Sequence, residues 1–244
     1  MKQGLFTILE NTPLTRSVYK LRLGGDTSAI TACGQFINIK LDGLFLRRPI
    51  SVCDCDKACV TVLYKVVGAG TEKLAGMKTG ETLDVLTGLG NGYDRTLAGD
   101  APLLIGGGVG VPPLYMLAKA LRSEGKAVTV ILGFNTAEEC FYENEFRALG
   151  CTVLVTTVDG SYGTKGFVTD AFPEKYSYFY TCGPEPMLKA VYKKSVTSGQ
   201  MSFEERMGCG FGACMGCSCK TITGYKRICK DGPVLRKEEI LWEH

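Results

Sequence analysis

The sequence predicts three parts in series: an antiparallel β-barrel, a doubly wound α/β domain built on a parallel sheet, and a small cysteine-rich C-terminal domain. Three observations carry this. Apolar and polar residues alternate in residues 1–97, strands alternate with helices in residues 98–200, and residues 201–244 hold five of the twelve cysteines with little periodicity. With 244 residues, 45% of them hydrophobic, the chain can bury cores of this size.

In the first part, Tyr19, Leu21 and Leu23 alternate with Lys20 and Arg22, and Ile37, Ile39 and Leu41 alternate with Asn38 and Lys40. Val60, Val62, Tyr64 and Val66 form a third period-two set. Short alternating strands parted by glycine-rich turns suggest an antiparallel barrel or sandwich. In the second part, "APLLIG", "AVTVILG", "CTVLVTTV" and "YSYFYTCG" read as buried strands. A helix with Leu114, Leu117, Ala118 and Leu121 on one face starts at two prolines and stops at Gly125. Thr136 and Glu139 stand at capping-box spacing before a second helix ending at Gly150, and "PEPMLKAVYKKSVTSG" supplies another. Such alternation implies a parallel, doubly wound sheet.

The net charge of +3 argues against a nucleic-acid tract or a polybasic membrane anchor. The single histidine, His244, nearly excludes histidine acid–base catalysis and histidine-rich metal sites. The N-terminus lacks the apolar region of a signal peptide. The uncharged run Ala101–Ala118 is interrupted by glycines and two prolines, so it reads as strand, turn and helix start and not as a membrane span. A cytoplasmic location is expected, and there clustered cysteines more often bind metal than form disulfides.

Cys209, Cys214 and Cys217 stand as C-x4-C-x2-C, with Cys229 beyond. This is the plant-type spacing for a [2Fe–2S] cluster. Gly208, Gly210, Gly212 and Gly216 let the loop bring backbone N–H groups near sulfur. A four-cysteine zinc site is the alternative, although such sites usually come as two close pairs in sequence. Cys219 competes for the fourth position, but only one residue parts it from Cys217, so Cys229 is preferred.

In "LLIGGGVGVPPL", Gly106, Gly107, Gly108 and Gly110 sit between a strand and a helix, where backbone N–H groups can meet phosphate. A plain tight turn is the alternative. Cys182, Gly183, Pro184 and Met187 in "YTCGPEPM" follow a later strand, at the carboxyl end where such sheets bind ligands. In the barrel, Arg47 and Arg48 of "LRRPIS" are either solvated surface arginines or a diphosphate clamp. Lys65 and the "GAGT" turn ending in Thr71 offer a second phosphate contact.

"RPIS", "GAGT", "GGGVG" and "CGPEPM" together resemble the ferredoxin–NADP reductase superfamily, over residues 1–200 or so. With "ERMGCGFGACMGCSCKT" and "YKRICKDGPVL", the chain is similar nearly end to end to the electron-transfer subunits of B-type, NAD-linked dihydroorotate dehydrogenases. The resemblance implies FAD on the barrel, contacted by Arg48, Pro49, Ile50, Ser51, Leu63, Tyr64, Lys65, Gly70 and Thr71. It implies NAD on the α/β domain with Cys182 near the nicotinamide–flavin junction, and a [2Fe–2S] cluster on Cys209, Cys214, Cys217 and Cys229. It also implies a separate FMN-containing catalytic subunit, in a heterotetramer of two plus two, serving pyrimidine (UMP) biosynthesis. No acid–base group for pyrimidine chemistry stands out here. The electron logic agrees: a nicotinamide exchanges two electrons and a cluster one, so a flavin is needed between them.

Glu138, Glu139 and Asp159 lie where a 2′-phosphate would want an arginine, which favours NAD over NADP. Asp159 reads equally well as a turn residue before Gly160. One rival is a ferredoxin-linked or bifurcating NAD(P)H oxidoreductase subunit. Another, of a different class, is a zinc-stapled nucleotide-sensing regulator. Trp242 either packs under the cluster loop or meets the partner.

Overall fold

A computed structural model describes residues 1–242. The single histidine, His244, lies outside the described residues.

Six strands form a closed barrel: β1 (Lys2–Pro13), β2 (Val18–Gly24), β3 (Phe36–Ile39), β4 (Arg48–Cys55), β5 (Cys59–Lys65) and β6 (Thr82–Leu89), in the order β1-β2-β5-β4-β3-β6. Every pairing is antiparallel. Leu21, Leu23, Ile37, Ile39, Leu41, Val60, Val62 and Tyr64 all enter one buried core, with Tyr19 and Val66 at its margin. Period two therefore marks the inward face, and burying each aliphatic side chain contributes about 1.5–3 kcal/mol. A short helix α1 (Ala69–Ala75) follows β5 and buries Leu74 against this core.

The second unit contains β7 (Leu103–Gly107), α2 (Pro113–Ser123), β8 (Thr129–Phe134), α3 (Glu143–Ala148), β9 (Thr152–Thr157), β10 (Thr164–Lys165), β11 (Phe179–Cys182), α4 (Glu185–Lys194) and β12 (Gly199–Ser202). The sheet order is β10-β9-β8-β7-β11-β12, all parallel. The chain winds outward from β7 to β10, then returns to the other side of β7. The switch point thus lies between β7 and β11, where a doubly wound sheet opens a ligand crevice.

The second helix differs from the sequence expectation. Thr136 makes no side-chain cap, and Glu139 Oε2 instead accepts from the Asn135 amide groups. A 3-10 turn covers Ala137–Glu139, and α3 begins only at Glu143 after Tyr142, whose φ of 68° interrupts helical geometry. Phe141 and Tyr142 are instead buried in an aromatic group with Phe134, Tyr115 and Phe146. Packing outweighed the cap.

The tail adds a hairpin, β13 (Ser218–Thr221) with β14 (Gly224–Arg227), and a strand, β15 (Val234–Arg236), that pairs antiparallel with β12. Residues on both sides of the cysteine loop are therefore hydrogen-bonded into the nucleotide-domain sheet. Trp242, partly buried, packs edge-on to Tyr192 of α4 and beside Phe203, against the core of the second unit and not under the cluster loop. The barrel and the second unit share another core: Val18, Cys53 and Leu63 of the barrel pack with Val111 and Leu114. Lys119 of α2 adds an ion pair to Asp54 of β4 at 3.0 Å.

Candidate functional site

The cysteine loop gathers its thiols as two pairs. The Cys209 N–H donates to Cys214 Sγ (3.5 Å), and the Cys214 N–H donates to Cys209 Sγ (3.4 Å). The Ala213 N–H also reaches Cys209 Sγ at 3.2 Å. In the second pair, the Cys229 N–H donates to Cys217 Sγ at 3.4 Å. Among the described residues no three of His, Cys, Asp and Glu close around a single metal position. Two thiol pairs fit a centre of two irons with two cysteines each, and four soft thiolates suit iron–sulfur chemistry.

The pairs differ in surroundings. Burial would raise the Cys209 thiol, but N–H groups of Phe211, Cys214 and Ala213 bring it down to about 6. Cys229 is pushed up to about 12 by burial and by the neighbouring Cys217. Cys217 and Cys229 lie in a small core with Phe36, Leu86 and Leu89 of the barrel, Ile228 and Leu235. Cys214 is exposed, as are Phe211 and Met215 beside it. Cys219 sits on β13 opposite Lys226.

Two residues that the sequence reading did not single out tie the loop down. Arg227 Nη1 donates to the Gly212 carbonyl at 2.9 Å while its Nε pairs with Asp231 at 3.0 Å. Asn38 Nδ2 of β3 reaches the Cys209 carbonyl at 3.4 Å. An arginine two residues before Cys229 was a visible signal for the first. Asn38 had none, because its contact spans 171 positions.

On the barrel, β4 presents the "RPIS" stretch opposite β3: Arg48 faces Ile39, Pro49 faces Asn38, Ile50 faces Ile37 and Ser51 faces Phe36. The two arginines part company, contrary to a joint clamp. Arg47 pairs with Asp84 at 2.9 Å and donates to the Asp84 carbonyl, so it holds β6. Arg48 lies against Gly70, where a Cβ would run into its guanidinium. Thr71 Oγ1 accepts from the Val67 and Gly68 N–H groups, which shapes the turn that starts α1. A guanidinium beside a helix start is a cradle for a diphosphate. Leu63 and Tyr64 are buried, and the Tyr64 hydroxyl donates to Asn11 Oδ1 at 2.9 Å. What these two can offer a flavin is backbone; Lys65 is exposed.

At the switch point, the structure brings Gly106, Gly107, Gly110, Cys182, Gly183, Pro184 and Met187 together. Cys182 pairs with Gly106 in register. A Cβ at Gly110 would strike the Cys182 carbonyl, and one at Gly107 would lie 2.5 Å from Met187 Sδ. These glycines thus serve close backbone packing, while Gly108, at φ 51°, faces open space. The helix start is poorer in donors than expected, since Pro112 and Pro113 carry no N–H. The Gly108–Gly110 turn packs on β5 of the barrel. Cys182 is half-buried, and burial pushes its thiol up to about 12. Asp159 lies beyond β9, two strands from β7, and its carboxylate accepts from the Ser161 N–H (2.9 Å) and hydroxyl (2.6 Å). That is a turn role. A cleft of about 590 Å³ opens between barrel and second unit, with Arg16, Tyr19 and Glu72 on one side and Thr136, Glu138 and Glu139 on the other.

Comparison with known proteins agrees with this geometry. The profile of the iron–sulfur cluster binding domain of dihydroorotate dehydrogenase B matches residues 204–241, and that of the oxidoreductase NAD-binding domain matches residues 104–193. The chain is 45% identical to the dihydroorotate dehydrogenase B (NAD(+)) electron transfer subunit of Geobacillus sp. (strain WCH70), covering 99% of each chain. The protein of that name from Fusobacterium nucleatum is 43% identical, with 96% of each covered. A solved NADH-dependent reduced ferredoxin–NADP oxidoreductase superimposes with a TM-score of 0.88 at 32% identity, covering 98% of this chain and 90% of that one. A Malassezia yamatoensis flavohemoglobin with bound FAD and heme shares the fold at a TM-score of 0.68 and 21% identity, over 80% of this chain and 56% of that one. Two features decide between the two closest sequence readings: full-length identity and a tail that matches the dihydroorotate dehydrogenase B cluster domain. The chain belongs to the family of dihydroorotate dehydrogenase B (NAD(+)) electron transfer subunits.

Proposed function

We propose that the chain relays electrons from an FMN-containing dihydroorotate dehydrogenase catalytic subunit to NAD⁺, by way of a [2Fe–2S] cluster on its tail and FAD on its barrel. The observation that carries this is that Cys217 and Cys229 pack on Phe36, Leu86 and Leu89 of the barrel and that Asn38 of the barrel holds the Cys209 carbonyl, with the Gly108–Gly110 turn of the nucleotide crevice packed on another strand of the same barrel. A flavin, when bound, exchanges electrons with a nicotinamide in twos and with a cluster singly.

The chain's own residues supply binding and orientation. Arg48, Gly70 and Thr71 would hold the FAD diphosphate, with Pro49, Ile50, Ser51 and the backbone of Leu63–Lys65 along its length. Gly106–Gly110, Cys182–Pro184 and Met187 would bind the nicotinamide half of NAD. Glu138 and Glu139 line the interdomain cleft and would disfavour a 2′-phosphate. Cys209 and Cys214 would hold one iron, Cys217 and Cys229 the other. The exposed apolar pair Phe211 and Met215 beside Cys214 marks the face where the catalytic subunit would dock, in a two-plus-two heterotetramer. No helix among the described residues is long and apolar enough to cross a membrane, and a cytoplasmic site of pyrimidine biosynthesis follows from the proposed reaction. The domain limits 1–97, 98–200 and 201–244 serve as working boundaries.

The test is to co-produce the chain with an FMN-bearing dihydroorotate dehydrogenase subunit and follow dihydroorotate-dependent reduction of NAD⁺. The complex should reduce NAD⁺ and neither subunit alone should do so. Stable association with a ferredoxin, and none with the FMN protein, would contradict the proposal.

A further inference from the structure

Asn38 stands where the barrel meets the cluster loop. It lies on β3, where Ile37 and Ile39 point into the barrel core. Strand alternation turns Phe36 and Asn38 to the outer face. Phe36 packs against Cys217 and Cys229. Asn38 is 1% exposed, and its Nδ2 is directed at the Cys209 carbonyl at 3.4 Å. The contact is close enough that a Cβ at Gly210 would strike Nδ2, and Gly210 holds a φ of 79°. Asn38 is also the register partner of Pro49 in "RPIS". A single buried amide therefore links the strand pair of the flavin site to the backbone of a cluster ligand.

Its other atom sharpens the point. Asn38 Oδ1 is one of three buried side-chain polar atoms without a hydrogen-bond partner among the described residues. A buried amide left half-satisfied is destabilising, so a leucine of similar volume would be tolerated better on packing grounds alone. Retaining an amide there needs another reason. Holding the Cys209 carbonyl against the barrel fixes one end of the loop whose Cys209, Ala213 and Cys214 N–H groups point at the Cys209 and Cys214 sulfurs. Backbone N–H groups near ligand sulfur stabilise negative charge and raise a cluster's potential.

We propose that Asn38 is a positioning residue that sets the reduction potential of the cluster by fixing the Cys209–Gly210 peptide. This rests on the assignment of a [2Fe–2S] cluster to the four cysteines. Asn38→Asp replaces the donor with a carboxylate facing a carbonyl, so it repels the peptide and adds negative charge beside Cys209. Asn38→Leu removes the hydrogen bond without adding charge.

The experiment is an anaerobic redox titration of the full chain, following the cluster by electron paramagnetic resonance and the flavin by absorbance, with iron and flavin assayed on each sample. Asn38→Asp should lower the cluster potential by at least about 59 mV, a tenfold change in a one-electron equilibrium. Asn38→Leu should lower it by less, and the flavin potential should stay at its wild-type value in both. Asn38→Gln, which keeps the donor, serves if the aspartate variant does not fold; it should stay closer to wild type than Asn38→Leu. Cluster potentials equal to wild type in variants that retain their iron would overturn the proposal and leave Asn38 a packing residue. A wild-type chain that takes up no iron would overturn the cluster assignment itself, and this inference with it.

Discussion

The two cysteine pairs are held in opposite ways. Cys209 and Cys214 lie in an open loop, their sulfurs fixed by backbone N–H groups and their surroundings partly solvent. Cys217 and Cys229 lie in an apolar core made largely by another part of the chain, the barrel residues Phe36, Leu86 and Leu89. The outer pair therefore depends on local backbone geometry, the inner pair on tertiary packing. For an electron carrier this division is useful: the Cys214 side is open to solvent and the Cys217–Cys229 side lies on the barrel.

The difference can be broken from either side. The largest effect is expected from Cys217→Ser, which removes a thiol of the inner pair and places a hydroxyl in an apolar core. Bound iron should fall below about a tenth of wild type and thermal stability should drop as well. Cys214→Ser should also lose iron, yet leave the melting temperature of the metal-free chain unchanged, because Cys214 is exposed. Equal destabilisation of the two metal-free variants would erase the distinction. Next comes Phe36→Ala, which opens the inner core from the barrel side and should cost about 3–5 kcal/mol by denaturant unfolding. Gly210→Ala acts on the outer pair alone. A Cβ there meets Asn38 at a φ that L-residues rarely adopt, so iron retention against a chelator should fall about tenfold, with the barrel fold intact by circular dichroism.

The smallest effect tests the barrel by itself. Burial tends to raise the Asp84 carboxyl, but hydrogen bonds from Arg47 and Gln3 hold it below its ordinary value. A depressed carboxyl contributes stability above its unfolded pKa and loses it as the pH falls through the folded value. Asp84→Asn should therefore cost about 1 kcal/mol at neutral pH. The deficit should begin to close near about pH 4, the unfolded carboxyl's range, and vanish in stronger acid. A deficit that does not vary with pH would show that Arg47 is held by something other than this ion pair.

Much of this was legible in the sequence where local pattern and tertiary environment coincide. Leu21, Ile37 and Val60 announced the barrel because a closed barrel buries every second residue. The parallel sheet was legible from its strand–helix alternation, and the cluster loop from cysteine spacing. What was not legible depended on register or distance. Arg47 and Arg48 look alike in sequence, but Arg47 lies just before β4 and Arg48 opens it, and nothing local says which one meets the "GAGT" turn. Asn38 and Cys209 are too far apart in sequence for any motif to join them. The strands β13, β14 and β15 are three or four residues long, too short for a period to show, and β15 exists because β12 offers it an edge. Thr136 carried the signal for a cap that the burial of Phe141 and Tyr142 displaced.

The most direct test of the relay is a visible absorption spectrum of the anaerobically purified chain, with iron, sulfide and flavin assayed on the same sample. The account predicts flavin bands over a broad red-brown absorbance, with about two irons and about one FAD per chain. A colourless chain that carries zinc and no flavin would contradict it.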